Sequence, residues 1–232
     1  MSAAEWSALA LSLRVAVVAT CVTLPIAIGL AYWLARSEFA GKWLIESVVS
    51  LPIVLPPVVT GYLLLVLFGR HGVLGSLIES TFGLRLVFDW KGAAIASAVM
   101  GFPLMVRAIR VAFTSVDRRL EEASRTLGIG PWGTFLHVTL PLAKHGVWAG
   151  ALLGFARSLG EFGATVMIAG NIPGRTQTAP LYIYQTVSAP GGMEASARMV
   201  VLLALLAAVA VGVSEWAQRN KRTIETRRED QR

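Results

Sequence analysis

An all-α integral membrane protein of about five transmembrane helices, N-terminus outside and C-terminus cytoplasmic, is the fold class this sequence predicts. Three observations point there. The chain is 55% hydrophobic and 15% charged, against about 25% charged residues in an ordinary soluble domain. Five apolar runs match the roughly 20 residues that a helical span needs. The basic residues gather on one side of those runs. Strand-like alternation is absent, and a helix satisfies its own backbone where lipid offers no partner.

The runs cover residues 9–35, 44–68, 92–113, 146–169 and 199–217. The start, 1–7, carries Glu5 and no Lys or Arg. A cleaved leader has a basic start and a short apolar stretch, so the first run is expected to be retained. Cys21 lies inside it as the single cysteine and is expected as a small buried hydrophobe. Pro25 in the first run and Pro103 in the third are expected to be static kinks. The second run holds Pro52, Pro56 and Pro57, then Thr60. Proline removes a backbone donor and bends a helix. Three in six residues predict a break or hinge, tolerated where protein lines the interior. A path that opens and closes needs such an element; a static kink is the plainer alternative.

Orientation follows from charge. Of the 21 Lys and Arg residues, fourteen lie in segments 36–43 and 107–145 and the tail from 218. The opposite side holds Arg70, Arg85, Lys91 and Arg175. Segment 107–145 and the tail are therefore expected inside. This distribution explains the net charge of +7 without nucleic acid; membrane lipid is the expected surroundings. Residues 1–217 are expected to form one transmembrane domain and 218–232 a basic cytoplasmic tail. The outer segment 69–91 places Val73, Leu74, Leu77, Ile78 and Phe82 on one helical face, predicting a helix lying at the interface. The outer segment 170–198 is rich in Pro and Gly and suits a structured surface loop.

Two segments carry chemistry. Residues 155–165 put Arg157 and Glu161 inside the fourth run. A lone charge at a helix centre costs about 2.5–3.5 kcal/mol on insertion scales. Four residues apart on one helical face, the two neutralise each other. Either they form a polar strip on a translocation path, with Arg157 meeting an anion or holding a gate, or they are a buried pair that fixes packing. Thr165 is a further candidate for the path. Arg14, Arg107 and Arg110 lie near span ends, are expected to snorkel to the interface and receive no substrate role.

The second is the polar segment 114–141. Glu121, Glu122, Ala123, Ser124, Arg125 and Gly128 are followed by Val138-Thr139-Leu140-Pro141. Leu120, Ala123, Leu127, Trp132 and Phe135 are expected to give a short helix an exposed apolar edge, a handle for a soluble partner. Gly128 permits the turn, and Pro141 suits the first turn of the next helix. Arg118, Arg119 and Arg125 suit acidic groups on that partner, or simply obey the orientation rule.

The chain lacks a phosphate-binding loop: its only Gly-Lys pair, Gly41-Lys42, is followed by Trp43. It has no Cys-pair or His-Glu-x-x-His metal pattern, and His71, His137 and His145 are dispersed. Any ATP and Mg therefore belong to another chain, and no cofactor is expected on this one. An ATP-independent transporter or channel is one alternative. A membrane-embedded enzyme is the other, but no nucleophile–base pair accompanies Arg157 and Glu161.

The spacing Glu122-Ala123-Ser124, three residues, Gly128, nine residues, Val138-Thr139-Leu140-Pro141 resembles the EAA motif of ABC importer permeases. Ser124 and Val138 stand where that pattern has Ala and Ile. Segments 51–62, 101–110, 155–165 and 171–178 extend the likeness to the molybdate ABC permeases. Sulfate and thiosulfate permeases share much of the pattern but are usually longer. The resemblance implies the type I importer fold, a homodimer of two permease copies, cytoplasmic ABC ATPase subunits gripping segment 120–135 and a periplasmic oxyanion-binding protein. It implies a bacterial inner-membrane location, with molybdate as the cargo and sulfate, thiosulfate or tungstate as the alternatives.

Overall fold

The computed structural model describes residues 2–229, with side chains to residue 214. Helix α1 (Ala3–Arg36) starts with a capping box in which Ser2 Oγ accepts from the Glu5 N–H and Glu5 accepts from the Ser2 N–H. Pro25 lies inside it without breaking it. Helix α5 (Trp90–Thr114) is the central span and the most enclosed of the long helices, and Pro103 lies inside it without ending it. Helix α11 (Gly192–Glu229) is long and apolar enough to cross a membrane over Gly192–Ser214. The tail assigned to 218–232 falls beyond the described side chains, and 230–232 lie outside the described residues.

The other two apolar runs are not single straight helices: the second breaks at its proline cluster, as expected, and the fourth breaks where a continuous span was expected. The second divides into α2 (Lys42–Val54) and α3 (Pro57–Phe68), which meet at 111°. Pro56 disfavours helical backbone at the residue before it, and Leu55 is accordingly extended (φ −70°, ψ 141°). Pro57 then occupies the first position of α3, where a missing N–H costs nothing. The fourth run divides into α8 (Leu140–Leu159) and α9 (Gly163–Ala169), bent by 64°. No proline marks that break. Gly160 and Gly163, both poor helix formers, flank it.

Between the long helices lie α4 (Val73–Phe82), α6 (Arg118–Thr126), α7 (Pro131–Thr134) and α10 (Ala179–Val187). The expected interfacial helix is α4; it half-buries Leu74 and Ile78 and exposes Val73, Leu77 and Phe82. A core of Ala27, Ala31, Leu34, Met105, Ile109 and Phe113 joins α1 to α5. Glycines 146, 150 and 154 let α8 lie close on α5: a Cβ at Gly150 would stand 2.7 Å from Ile109, and one at Gly101 3.0 Å from the Gly154 carbonyl. Small residues at four-residue spacing permit that approach. Cys21, expected inside, is exposed on α1. Arg107 and Arg110 do not snorkel freely. Arg107 donates to Ser50 at 2.9 Å and Arg110 pairs with Glu46 at 2.8 Å, tying α5 to α2.

Candidate functional site

Two regions gather the residues singled out in the sequence. The first is the lever formed by α6 and α7. Asp117 caps α6 by accepting from the Arg119 N–H at 2.9 Å. Gly128 turns the chain at φ +84°, a left-handed conformation that L side chains avoid. Glu122, Ala123, Arg125, Leu127 and Trp132 are exposed, with Leu127 82% and Trp132 70% accessible. Leu120 and Ile129 extend this apolar edge. Phe135, expected on it, is buried instead against Tyr32 at 4.7 Å and Phe113 at 6.1 Å. It is the next turn of backbone that carries Phe135 inward.

That turn is a π-helix, Phe135–Thr139, in which the Leu140 N–H donates to the Phe135 carbonyl. It joins α7 to α8 without a loop. Pro141 does lie in the first turn of α8, but no free helix start precedes it. The expected re-entry is one continuous stretch, Pro131–Leu159. The wider turn already interrupts the regular ladder, so the missing N–H of Pro141 is accommodated there.

Glu121 was assigned to the partner-binding surface, but the structure places it inside. It is 4% exposed. Its Oε1 accepts from Arg36 Nη2 at 2.8 Å, Arg36 Nε at 3.1 Å and Thr139 Oγ1 at 2.6 Å. Arg36 Nη2 also donates to the Val116 carbonyl at 3.1 Å. One carboxylate therefore joins the end of α1, the lever helix and the π turn. Ser124, also buried, shares a 3.1 Å hydroxyl contact with Thr134. Sequence reasoning missed Arg36 because no local pattern links residues 85 apart.

The second region is where the two broken runs meet. A Cβ at Gly61 would stand 2.7 Å from the backbone of Ala164, and one at Gly163 would stand 2.8 Å from Pro57 Cβ. The starts of α3 and α9 thus pack directly together. Glu161 is not on a helix, as the four-residue spacing implied; it sits in the break after Gly160. It still pairs with Arg157, Oε2 to Nη1 at 2.7 Å, while its Oε1 accepts from the Ala164 N–H at 2.8 Å. The Glu161 side chain is 1% exposed and that of Arg157 29%. Phe162 beside it contacts Tyr184 of α10 at 5.0 Å between ring centroids. Thr60 and Thr165 are buried, and their hydroxyls have no hydrogen-bond partner among the described residues. Pro52 lies within α2 rather than at the break. Arg14, exposed on α1, stacks 3.8 Å over the Trp90 ring.

A helical bundle with two broken spans and a polar lever has the build of a membrane-embedded transport subunit. The chain belongs to the family described as binding-protein-dependent transport system inner membrane component, matched over residues 24–222. It is a multi-pass bacterial inner-membrane protein of that family. It is 50% identical over 218 residues to the molybdenum transport system permease protein ModB of Escherichia coli K12, covering 94% of this chain and 95% of that one. ModB of Haemophilus influenzae is 51% identical over 212 residues, 91% of this chain and 93% of that one. The sulfate transport system permease protein CysW of Synechococcus elongatus is 38% identical over 176 residues, 76% of this chain and 61% of that one. Among solved structures, a bacterial ABC transporter that imports alginate superposes with a TM-score of 0.66 at 16% identity, over 97% of this chain and 81% of that one. That likeness establishes the type I ABC importer permease fold.

Proposed function

We propose that this chain is the permease subunit of an ATP-driven ABC importer that carries molybdate across the cytoplasmic membrane. The observation that carries this reading is the 50% identity to the Escherichia coli molybdenum permease across 94% of the chain. The working unit is a homodimer. Its N-terminus faces outside; the lever and the tail from 218 face the cytoplasm, in the sense the basic residues favour. Cytoplasmic ATPase subunits, which supply ATP and Mg, grip α6 and α7. An oxyanion-binding protein delivers cargo at the opposite face.

Within that reading the exposed Glu122, Ala123, Arg125 and Leu127 meet the ATPase, with Gly128 fixing the turn. Glu121, Ser124, Leu140 and Pro141 hold the lever to the bundle. A stiff short helix stapled at Glu121 passes the push of ATP closure into α1 and α8. The breaks at Pro56-Pro57 and Gly160–Phe162 are where the spans yield. Pro52, Thr60, Arg157, Glu161 and Thr165 accompany them on the path. Sulfate or thiosulfate is the second reading, favoured by the 38% identity to the sulfate permease; tungstate is a close chemical substitute.

The test is molybdate uptake, with and without excess sulfate, in cells lacking their own molybdate permease. They would express this chain with its ATPase and binding protein. Uptake that persists under sulfate is the expected result. Uptake abolished by sulfate, with sulfate itself entering, moves the cargo to sulfate.

A further inference from the structure

We propose that the Glu161 carboxylate is a resident substitute for the transported anion: it occupies Arg157 at rest, and a tetrahedral oxyanion displaces it from the guanidinium during passage. This rests on the oxyanion-permease reading above and assigns the anion its contact within the path.

The pair is asymmetric in a way that a packing role does not require. Glu161 is fixed at both oxygens, one by Arg157 and one by the Ala164 N–H, and its side chain is 1% exposed. Arg157 has the opposite character. Its side chain is 29% exposed, and the single contact from Nη1 is its one partner among the described residues. A guanidinium presents five N–H donors in a planar fork suited to two oxygens at once. Here the fork is engaged at one point, so most of its donors remain for another acceptor. Lipid is not a stable neighbour for that open side, because a charge in hydrocarbon is costly and such residues face water or protein. The open side therefore belongs on a water-filled, protein-lined surface.

Position adds a second argument. Glu161 lies in the break between α8 and α9, and that break packs on the Pro57 end of α3. Any swing of α9 against α8 changes the 2.7 Å contact directly, so the two breaks and the ion pair move together. Thr60 follows Pro57 in the first turn of α3 and Thr165 follows Glu161 in α9, and their buried hydroxyls have no partner among the described residues.

The exchange leaves Arg157 paired throughout and deprives Glu161 of its cation only while cargo is bound. A doubly charged tetrahedral oxyanion offers Arg157 two oxygens in place of one, which is the stronger form of the contact. Glu161 keeps its Ala164 N–H when Arg157 leaves. The two anions then repel, and the returning carboxylate ejects the cargo. Glu161 is thus a release element as well as a resting partner, and Arg157 never stands unpaired.

The experiment uses two formats of the importer. Thermal unfolding of the detergent-purified permease–ATPase complex, without the oxyanion-binding protein, is followed in millimolar molybdate, against chloride at equal ionic strength, since a ligated binding protein would shift Tm by itself. Uptake and ATP hydrolysis are followed in proteoliposomes with the binding protein added. Glu161→Gln is expected to gain a molybdate-specific rise in Tm of several degrees, larger than that of the wild type. Its uptake per ATP hydrolysed should fall at least fivefold, because cargo enters but is not displaced. The double variant Arg157→Met with Glu161→Met replaces the pair by apolar groups of similar length, which folds tolerate well. It should elute as an assembled complex, show no molybdate-specific shift and lose uptake at least tenfold. Wild-type uptake by an assembled double variant overturns the proposal and leaves a packing pair. So does a Glu161→Gln complex whose Tm ignores molybdate. If the wild-type complex takes up neither molybdate nor sulfate, the oxyanion reading fails, a result these variants do not mimic.

Discussion

Two Arg–Glu pairs of nearly equal length, 2.8 Å for Arg36–Glu121 and 2.7 Å for Arg157–Glu161, sit in opposite settings. In both, the carboxylate is buried. The first joins residues 85 apart in sequence, and its cation has a 12% exposed side chain with a second anchor on the Val116 carbonyl. The second joins neighbours four apart, and its cation is more than twice as open, at 29%. The same chemistry yields a staple in one place and an exchangeable contact in the other. The number of additional hydrogen bonds decides which, because a charge held from several sides has no low-cost alternative partner.

The largest expected effect follows at the staple. Glu121→Ala leaves the largely enclosed Arg36 without its counter-ion, and removal of one partner of a buried pair costs up to about 3–5 kcal/mol. Thr139→Val removes one charge-assisted hydrogen bond and should cost about 1.5–3 kcal/mol. Thermal unfolding of the purified complex orders the two. Equal, small losses for both would show that Glu121 is not the joint between the lever and the bundle.

A smaller effect is expected where the two broken spans touch. Gly61→Ala forces a Cβ against the Ala164 backbone, where the available distance is 2.7 Å. Overpacking of that kind costs about 1–3 kcal/mol, and it separates α3 from α9. Gly212→Ala is the control, since nothing lies within 4 Å of its Cβ position. There the loss of glycine in a helix should be neutral or stabilising, by about 0.5–1 kcal/mol. If Gly61→Ala is as harmless as the control, the breaks are not packed on each other in the working protein.

The same contrast explains what was legible in the sequence. Charge, run length and proline clusters are local quantities, and they predicted the spans, the break at Pro56-Pro57 and the Arg157–Glu161 contact. The break after Gly160 escaped because Gly-Glu-Phe-Gly lies in an apolar window with no proline, and hydropathy averages over it. Glu121 looked like a surface residue because its neighbours Glu122 and Arg125 are. Its burial depends on Arg36, and no periodicity connects the two. Phe135 was expected on the exposed edge because a straight α-helical register puts it there; the π turn moves it into the Tyr32–Phe113 cluster.

The smallest effect completes the series. Glu38 pairs with Lys42 at 2.9 Å; the carboxylate side chain is 78% exposed, whereas that of Lys42 is 15% exposed. The Lys42 hydrogen bond, then its charge, holds the Glu38 carboxyl below the usual carboxylate range. A lowered folded-state pKa stabilises the fold above the unfolded value, and that gain is lost as pH falls through the folded value. A pair whose carboxylate stands open to water contributes little, because water and salt screen it and the side chains lose entropy in pairing. Wild type and Glu38→Gln should therefore unfold at the same temperature at neutral pH and under acid conditions alike, within the error of the scan. A neutral-pH loss in Glu38→Gln comparable to that of Glu121→Ala, vanishing in acid, would mean that exposure is not what separates a staple from an ornament on this surface. The contrast drawn between Arg36 and Arg157 would then fall with it.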